Sequence, residues 1–168
     1  TLVIEKEARN ERYLGMPIHV GKSRTKTFRH IIERILQRIS GWQEKLLSRM
    51  GKELLIKAVV QAIPTFTMSC FDLTKTICEE ISTLVCKYWW SQQDKKNALH
   101  WISWDKLTLP KAMGGLGFLD MHMFNIAMLS RQGWRILQNQ PSLCARVLKA
   151  RYFPNNSVLE AQAHDGIS

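Results

Sequence analysis

The chain has 168 residues, 45% of them hydrophobic, which is enough for a folded core and argues against a disordered tail. Lys and Arg number 24 against 14 acidic residues, a formal net charge of +10, so a polyanionic partner is expected, either nucleic acid or an anionic membrane surface. The sequence has no signal peptide and no run of about 18 apolar residues, so we expect no membrane span and an intracellular location, nuclear or cytoplasmic.

The first 20 residues are predicted to form a β-hairpin. Residues 2–4 are a short apolar run, residues 5–12 a charged turn, and residues 13–18 a second extended segment. Gly15 and Pro17 are incompatible with a helix interior. Two short strands joined by a polar turn are therefore expected.

From Thr25 the apolar residues follow a helical period, and the rest of the chain is predicted to be mainly α. The first helix reaches about Trp42, and Ser48 is the predicted N-cap of a second helix that ends before Pro64. The predicted apolar stripe of this second helix consists of Leu54, Leu55, Ala58, Val59 and Ala62.

Three further amphipathic helices are predicted over residues 75–90, 124–137 and 142–152. In the second of these, the spacing predicts burial of Ile126, Ala127, Leu129, Trp134 and Leu137. The fold class predicted from these patterns is a mainly α protein with an N-terminal β-hairpin followed by amphipathic helices.

Positive charge is concentrated between Lys22 and Lys57, where ten basic residues oppose three acidic ones, a local charge of 10 − 3 = +7. In a continuous helix Arg34, Arg38, Lys45 and Arg49, spaced by 4, 7 and 4 residues, would form a stripe beside the apolar face. This stripe is a candidate polyanion site. The alternative is that these side chains only solvate a helix surface.

The sequence contains no pattern that predicts catalysis or metal binding. The acidic residues are scattered, and no Asp-Asp pair follows an apolar strand as in a metal-dependent polymerase. The glycines of residues 114–117 lack phosphate-loop spacing and are predicted to allow a tight turn. No cysteine pair has CxxC spacing, and Cys78 and Cys86 lie on one predicted helix face as buried free thiols rather than metal ligands. We therefore expect no cofactor in this chain.

The tryptophans divide into two groups. Trp42, Trp89 and Trp134 lie on apolar helix faces and are predicted to be core residues. Trp90, Trp101 and Trp104 either pack in the core or stack on bases beside cations, as in single-strand binding proteins.

A series of different short motifs is spread along the whole chain. They are residues 13–18 (YLGMPI), 41–42 (GW), 46–48 (LLS), 51–57 (GKELLIK), 62–64 (AIP), 68–69 (MS), 100–104 (HWISW), 110–117 (PKAMGGLG), 124–129 (FNIAML), 134–135 (WR) and 149–154 (KARYFP). In this order they resemble the region downstream of the catalytic palm in plant LINE-type (non-LTR retrotransposon) reverse transcriptases.

The resemblance implies three segments, truncated at both ends of the chain. Residues 1–20 would be a primer-grip-like hairpin, residues 21–72 thumb-like basic helices, and residues 73–168 a helical linker toward a zinc-binding and ribonuclease H region. The implied partner is template–primer nucleic acid, bound through its backbone without catalysis by this chain. The implied contacts are Tyr13, Leu14 and Gly15 for the primer and Arg34, Arg38, Lys45, Arg49 and Lys52 for phosphates.

The resemblance also places the catalytic aspartates, with their Mg²⁺, in a palm upstream of Thr1. The missing palm and C-terminal domains of the parent polyprotein would then be further partners, and no membrane is implied. Two alternatives stay open. The chain is either a basic helical interaction module for an acidic partner or membrane surface, or a retroelement relic without function.

Overall fold

The computed structural model of the protein describes residues 12–13, 15–17, 23–43, 47–91, 101–154, 157 and 159. These ranges contain seven α-helices and one two-stranded hairpin, which confirms a mainly helical fold. The elements are β1 (Arg12–Tyr13), β2 (Met16–Pro17), α1 (Arg24–Gln43), α2 (Arg49–Leu55), α3 (Thr65–Met68), α4 (Lys75–Trp90), α5 (Trp104–Thr108), α6 (Met121–Gln138) and α7 (Leu143–Tyr152).

The core lies where α1 packs against α4, and α6 packs against α4 in turn. The predicted apolar period of α1 is confirmed for Phe28, Ile31, Ile32, Ile35 and Ile39, which are buried, but not for Leu36, which was predicted on the same face and is 44% exposed. Facing them on α4 are Ile77, Ile81, Val85 and Tyr88, all at most 1% exposed. One apolar cluster therefore joins residues of the predicted thumb-like and linker segments. The division into domains stays a prediction.

Polar N-caps set where three helices begin. The predicted cap Ser48 is confirmed, since its Oγ accepts a hydrogen bond from the Gly51 amide at 3.2 Å. Helix α6 begins three residues earlier than predicted because the Asp120 carboxylate accepts hydrogen bonds from the two amides of residues 122 and 123 at 2.9 and 3.0 Å. Ser142 caps α7 in the same way.

The N-terminal hairpin is present but not where the sequence predicted its turn. Strand β1 pairs antiparallel with β2, Arg12 opposite Pro17 and Tyr13 opposite Met16. The single strand predicted over residues 13–18 is wrong, because the backbone reverses at Gly15, whose φ of +80° is readily available only to glycine. The predicted partner strand over residues 2–4 lies outside the described residues.

The predicted apolar face of the second helix is also wrong. Leu54 is 67% exposed, and the buried residues are instead Glu53, Ile56 and Val60. Helix α2 continues into a π-helical turn (Ile56–Val60), in which the Gln61 amide bonds the Ile56 carbonyl five residues back at 3.0 Å. This wider turn shifts the register of every later side chain. A uniform helical period, which the prediction assumed, does not apply there.

Helix α6 buries a different face from the predicted one. Trp134 is 61% exposed and Ile126 is 44% exposed, while Met121 and Asn125 are buried. The predicted face was chosen for its apolar residues, whereas the buried face includes a hydrogen-bonded polar side chain. Of the predicted stripe, Leu129 and Leu137 are half-buried and Ala127 is exposed.

The other tryptophans occupy three environments. Trp89 is buried as predicted, and Trp42 is half-buried with its ring centre 5.9 Å from that of Tyr88. Trp90 is buried and Trp104 stacks on a phenylalanine ring, so both belong to the core side. Trp101 is 75% exposed.

Asn125 joins α6 to the segment between α3 and α4. Its side chain is fully buried, and its Oδ1 accepts a hydrogen bond from the Leu73 amide at 2.8 Å. Its Nδ2 donates to the carbonyls of Met68 at 2.8 Å and Phe71 at 2.9 Å. One amide thus satisfies three backbone groups that would otherwise lose water on burial.

Candidate nucleic-acid interface

A groove of about 580 Å³ lies between the hairpin and the helices α1 and α3. Its lining residues come from three separate parts of the chain. They are Gly15, Met16, His30, Ile31, Glu33, Arg34, Gln37, Ile63, Phe66 and Thr67. The fold therefore brings together one predicted primer-grip residue, Gly15, and one predicted phosphate contact, Arg34.

Arg34 and Arg38 are the two cations of the predicted stripe that lie on α1. Both are exposed, and because they are four residues apart they lie one turn apart on the same helix face. Among the described residues neither takes part in a salt bridge, whereas Arg29 bonds Glu80 at 3.2 Å. Their charge is therefore available to a ligand, although Glu33 also lines the groove and offsets part of it.

Arg49 and Lys52 are directed at the C-terminal end of α4 instead. The guanidinium carbon of Arg49 lies 5.3 Å from the Trp90 ring centre and 5.6 Å from that of Trp89. The Lys52 ammonium donates to the Ser91 carbonyl at 2.5 Å and to the Ser91 hydroxyl at 3.0 Å. Lys52 thus satisfies carbonyls at a helix C-terminus, a favourable place for a cation. Burial and the neighbouring Arg49 charge lower the pKa of Lys52.

The predicted stripe does not exist as one helix face, because α1 ends at Gln43 and α2 begins only at Arg49. The spacing between Arg38 and Arg49 therefore carries no information about a shared surface. Lys45 and Leu14, also predicted as contacts, lie outside the described residues. Tyr13 is 69% exposed beside the hairpin turn.

An ion cluster around the buried Glu53 carboxylate, which sequence reasoning missed, fixes the loop of residues 110–117. The Glu53 carboxylate lies 2.8 Å from the Lys57 ammonium and 2.7 Å from that of Lys111. Lys57 also donates to the Leu116 carbonyl. Glu53 and Lys57 are four residues apart, a spacing that could have signalled the pair, but nothing in the sequence links them to Lys111. The cluster ties α2 to the glycine loop.

The Glu53 cluster predicts a defined dependence of stability on pH. Hydrogen bonds from Lys111 and Lys57 hold the pKa of Glu53 below its ordinary value of 4.5, against the opposing effect of burial. A depressed folded-state pKa gives stability that is present above about pH 4.5 and lost as the pH falls through the folded value. We expect E53Q to lower the free energy of unfolding by about 2 kcal/mol at pH 7. Urea denaturation at a series of pH values from 7 to 3 should show that the difference in free energy of unfolding between the wild type and E53Q becomes smaller as the pH falls.

The matched control is E79Q. Glu79 also pairs with a lysine four residues away, but at 3.8 Å and on the surface. Its loss should change stability by less than about 0.5 kcal/mol at any pH. A Glu53 effect that stays constant down to pH 3, or an equal effect at Glu79, would contradict the assigned role of the cluster.

None of the described cysteines forms a disulfide bond. The predicted burial is confirmed for Cys78 but not for Cys86, which is only half-buried, and Cys70 and Cys144 are exposed. Burial raises the pKa of Cys78 to about 11. Within the described ranges, three or more His, Cys, Asp or Glu side chains nowhere gather as a metal-binding group. Nor does any helix there have the length and apolarity needed to cross a bilayer.

Comparison with known proteins gives two relatives, both from Arabidopsis thaliana. An uncharacterized mitochondrial protein is 40% identical over 100 residues, 59% of this chain and 65% of that protein. A protein named "Putative ribonuclease H protein" is 36% identical over 137 residues, 82% of this chain and 22% of its own length. The chain thus spans less than two thirds of either relative. These homologies are consistent with a retroelement-related region.

No family model matches the sequence, and no solved structure matches it.

Proposed function

We propose that this chain is the primer-grip, thumb and linker portion of a plant LINE-type RNA-directed DNA polymerase and binds template–primer nucleic acid through its backbone. One observation carries the proposal: the hairpin turn at Gly15 and the cation Arg34, which forms no salt bridge within the described residues, line one groove. A duplex end held there would have its strand against the hairpin and its phosphates within reach of α1.

The chemistry of the groove suits a nucleic-acid backbone better than a small apolar ligand. Arg34 supplies a guanidinium that matches the geometry of a phosphate, and Arg38 repeats it one turn further along α1. Phe66, 52% exposed, offers an apolar surface for a sugar ring. Such contacts position a duplex without reading its sequence.

The relatives support the polymerase context. Reverse transcriptases of the resembled family often carry a ribonuclease H domain, and one relative is named for ribonuclease H. In this proposal residues 1–20 are the primer grip, residues 21–72 the thumb and residues 73–168 the linker. Polymerisation then depends on catalytic aspartates of an upstream palm, and the contribution of this chain is binding.

The salt dependence of duplex binding tests the assignment to α1. Replacing Arg34 and Arg38 with Gln should weaken binding of an RNA–DNA hybrid and reduce the slope of log K against log salt by about 1.8, because each lost phosphate contact removes about 0.9. Fluorescence anisotropy with a labelled hybrid at several salt concentrations measures both quantities.

The control is the double variant K87Q/K106Q, which removes the same charge from exposed positions on α4 and α5. It should leave the slope within about 0.3 of the wild-type value, since those lysines contribute only to the long-range field. Equal slopes for the two double variants would show that net charge, not the groove, governs binding.

A further inference from the structure

Helices α6 and α7 carry a second basic surface, separate from the groove. Between Asp120 and Glu160 the sequence has no acidic residue and five basic ones, a local charge of +5. These are Arg131, Arg135, Arg146, Lys149 and Arg151, and all five are exposed. None of them takes part in a salt bridge within the described ranges.

Trp134 lies within this surface and is 61% exposed. Arg131 precedes it by three residues on the same face of α6, and Arg135 follows it directly. An indole this exposed contributes little to the core. Its aromatic face lies beside Arg131, and Arg135 lies one helical turn further along α6 from Arg131.

We propose that the surface formed by Arg131, Trp134 and Arg135 binds single-stranded nucleic acid, with a base stacked on the indole and phosphates held by the arginines. Charge complementarity selects a polyanion, because no carboxylate of this segment opposes the cations. The exposed indole selects unpaired bases over a duplex, whose base faces are already stacked. Binding here is independent of the proposed role of the groove.

Stacking can be separated from charge by comparing two ligands. A short labelled single-stranded oligonucleotide and an abasic oligomer of the same length carry the same phosphates but differ in bases. The full chain should bind the base-containing strand about tenfold more tightly, in line with one stacked base. W134A should remove this preference while leaving binding of the abasic oligomer unchanged.

W101A is the matched control, because Trp101 is 75% exposed but lies outside the basic segment. It should bind both oligomers as the wild type does, which would exclude the base-stacking role that the sequence left open for Trp101. The double variant R131Q/R135Q should instead weaken binding of both oligomers and flatten its salt dependence.

Equal affinity of the wild type for the two oligomers would overturn the proposal, as would a loss in W101A as large as that in W134A. If Trp134 is instead a docking residue for another protein, W134A leaves oligonucleotide affinity unchanged, which also overturns it. Circular dichroism of each variant should match the wild type, since every substituted side chain is exposed.

Discussion

Replacing Asn125 with aspartate is expected to lower the free energy of unfolding by about 4 kcal/mol, a large fraction of the stability of a domain this size. The substitution keeps the shape of the side chain but replaces the Nδ2 donor with an oxygen. That oxygen would face the Met68 and Phe71 carbonyls, which now accept hydrogen bonds at 2.8 and 2.9 Å in a fully buried site. The carboxylate would lose both of these hydrogen bonds, keep only the one from the Leu73 amide, and bring a buried negative charge against two carbonyl oxygens.

Urea denaturation at pH 7, followed by circular dichroism, measures this loss. N139D is the control, because Asn139 is exposed at the end of α6 and the same chemical change there should cost less than about 0.5 kcal/mol. A cost at Asn125 below about 1 kcal/mol would mean that the amide does not hold the segment between α3 and α4.

Replacing Gly115 with alanine is expected to have the second largest effect, about 3 kcal/mol or complete loss of the native loop. A Cβ at this position would lie 2.0 Å from the Leu109 carbonyl oxygen and 2.5 Å from its carbonyl carbon. Both atoms are backbone, so no side-chain rotation relieves the clash. The loop is also held by hydrogen bonds such as that from the Gly117 amide to the Leu109 carbonyl at 2.8 Å.

G133A is the matched control for Gly115. Gly133 lies inside α6 with nothing within 4 Å of an added Cβ, so alanine there should stabilise the protein by about 0.5–1 kcal/mol. Thermal denaturation of the two variants should therefore shift in opposite directions. A Gly115 variant as stable as the wild type would show that the loop can adopt another conformation at little cost.

Local signals in the sequence were sufficient to predict that most of the helices are present. The period of α1 predicted its buried face, and Ser48 predicted the start of α2, because apolar periodicity and N-capping act over a few residues. The turn role of the glycines in residues 114–117 is confirmed for the same reason, with Gly114 and Gly117 both at positive φ.

Features that depend on distant partners could not be predicted. Glu53 is buried because Lys111, far along the chain, bonds it, and Asn125 is buried because three backbone groups of another segment need its amide. Because the prediction assigned charged and polar residues to the surface, it chose the wrong buried face for both α2 and α6. The π-helical turn at Ile56–Val60 added a shift of register that no periodicity could supply.

The candidate interface was predicted only in part. The sequence showed where the basic region lies and predicted Gly15 and Arg34 as contacts, and the fold places both residues in one groove. It could not show that Arg49 and Lys52 would turn toward the end of α4, since that depends on the packing of α2 against α4. The exposure of Trp134 was likewise hidden by its place in an apolar pattern.

Site-specific photocrosslinking tests the central claim most directly. Phe66, 52% exposed in the groove, is replaced with benzoylphenylalanine, and Leu54, 67% exposed and outside the groove, serves as the control position. If the groove binds nucleic acid as proposed, position 66 should crosslink to a labelled RNA–DNA hybrid. An excess of unlabelled hybrid should abolish this crosslink, whereas anionic vesicles should not. Absence of a crosslink at position 66, an equal yield at position 54, or displacement by vesicles would contradict it.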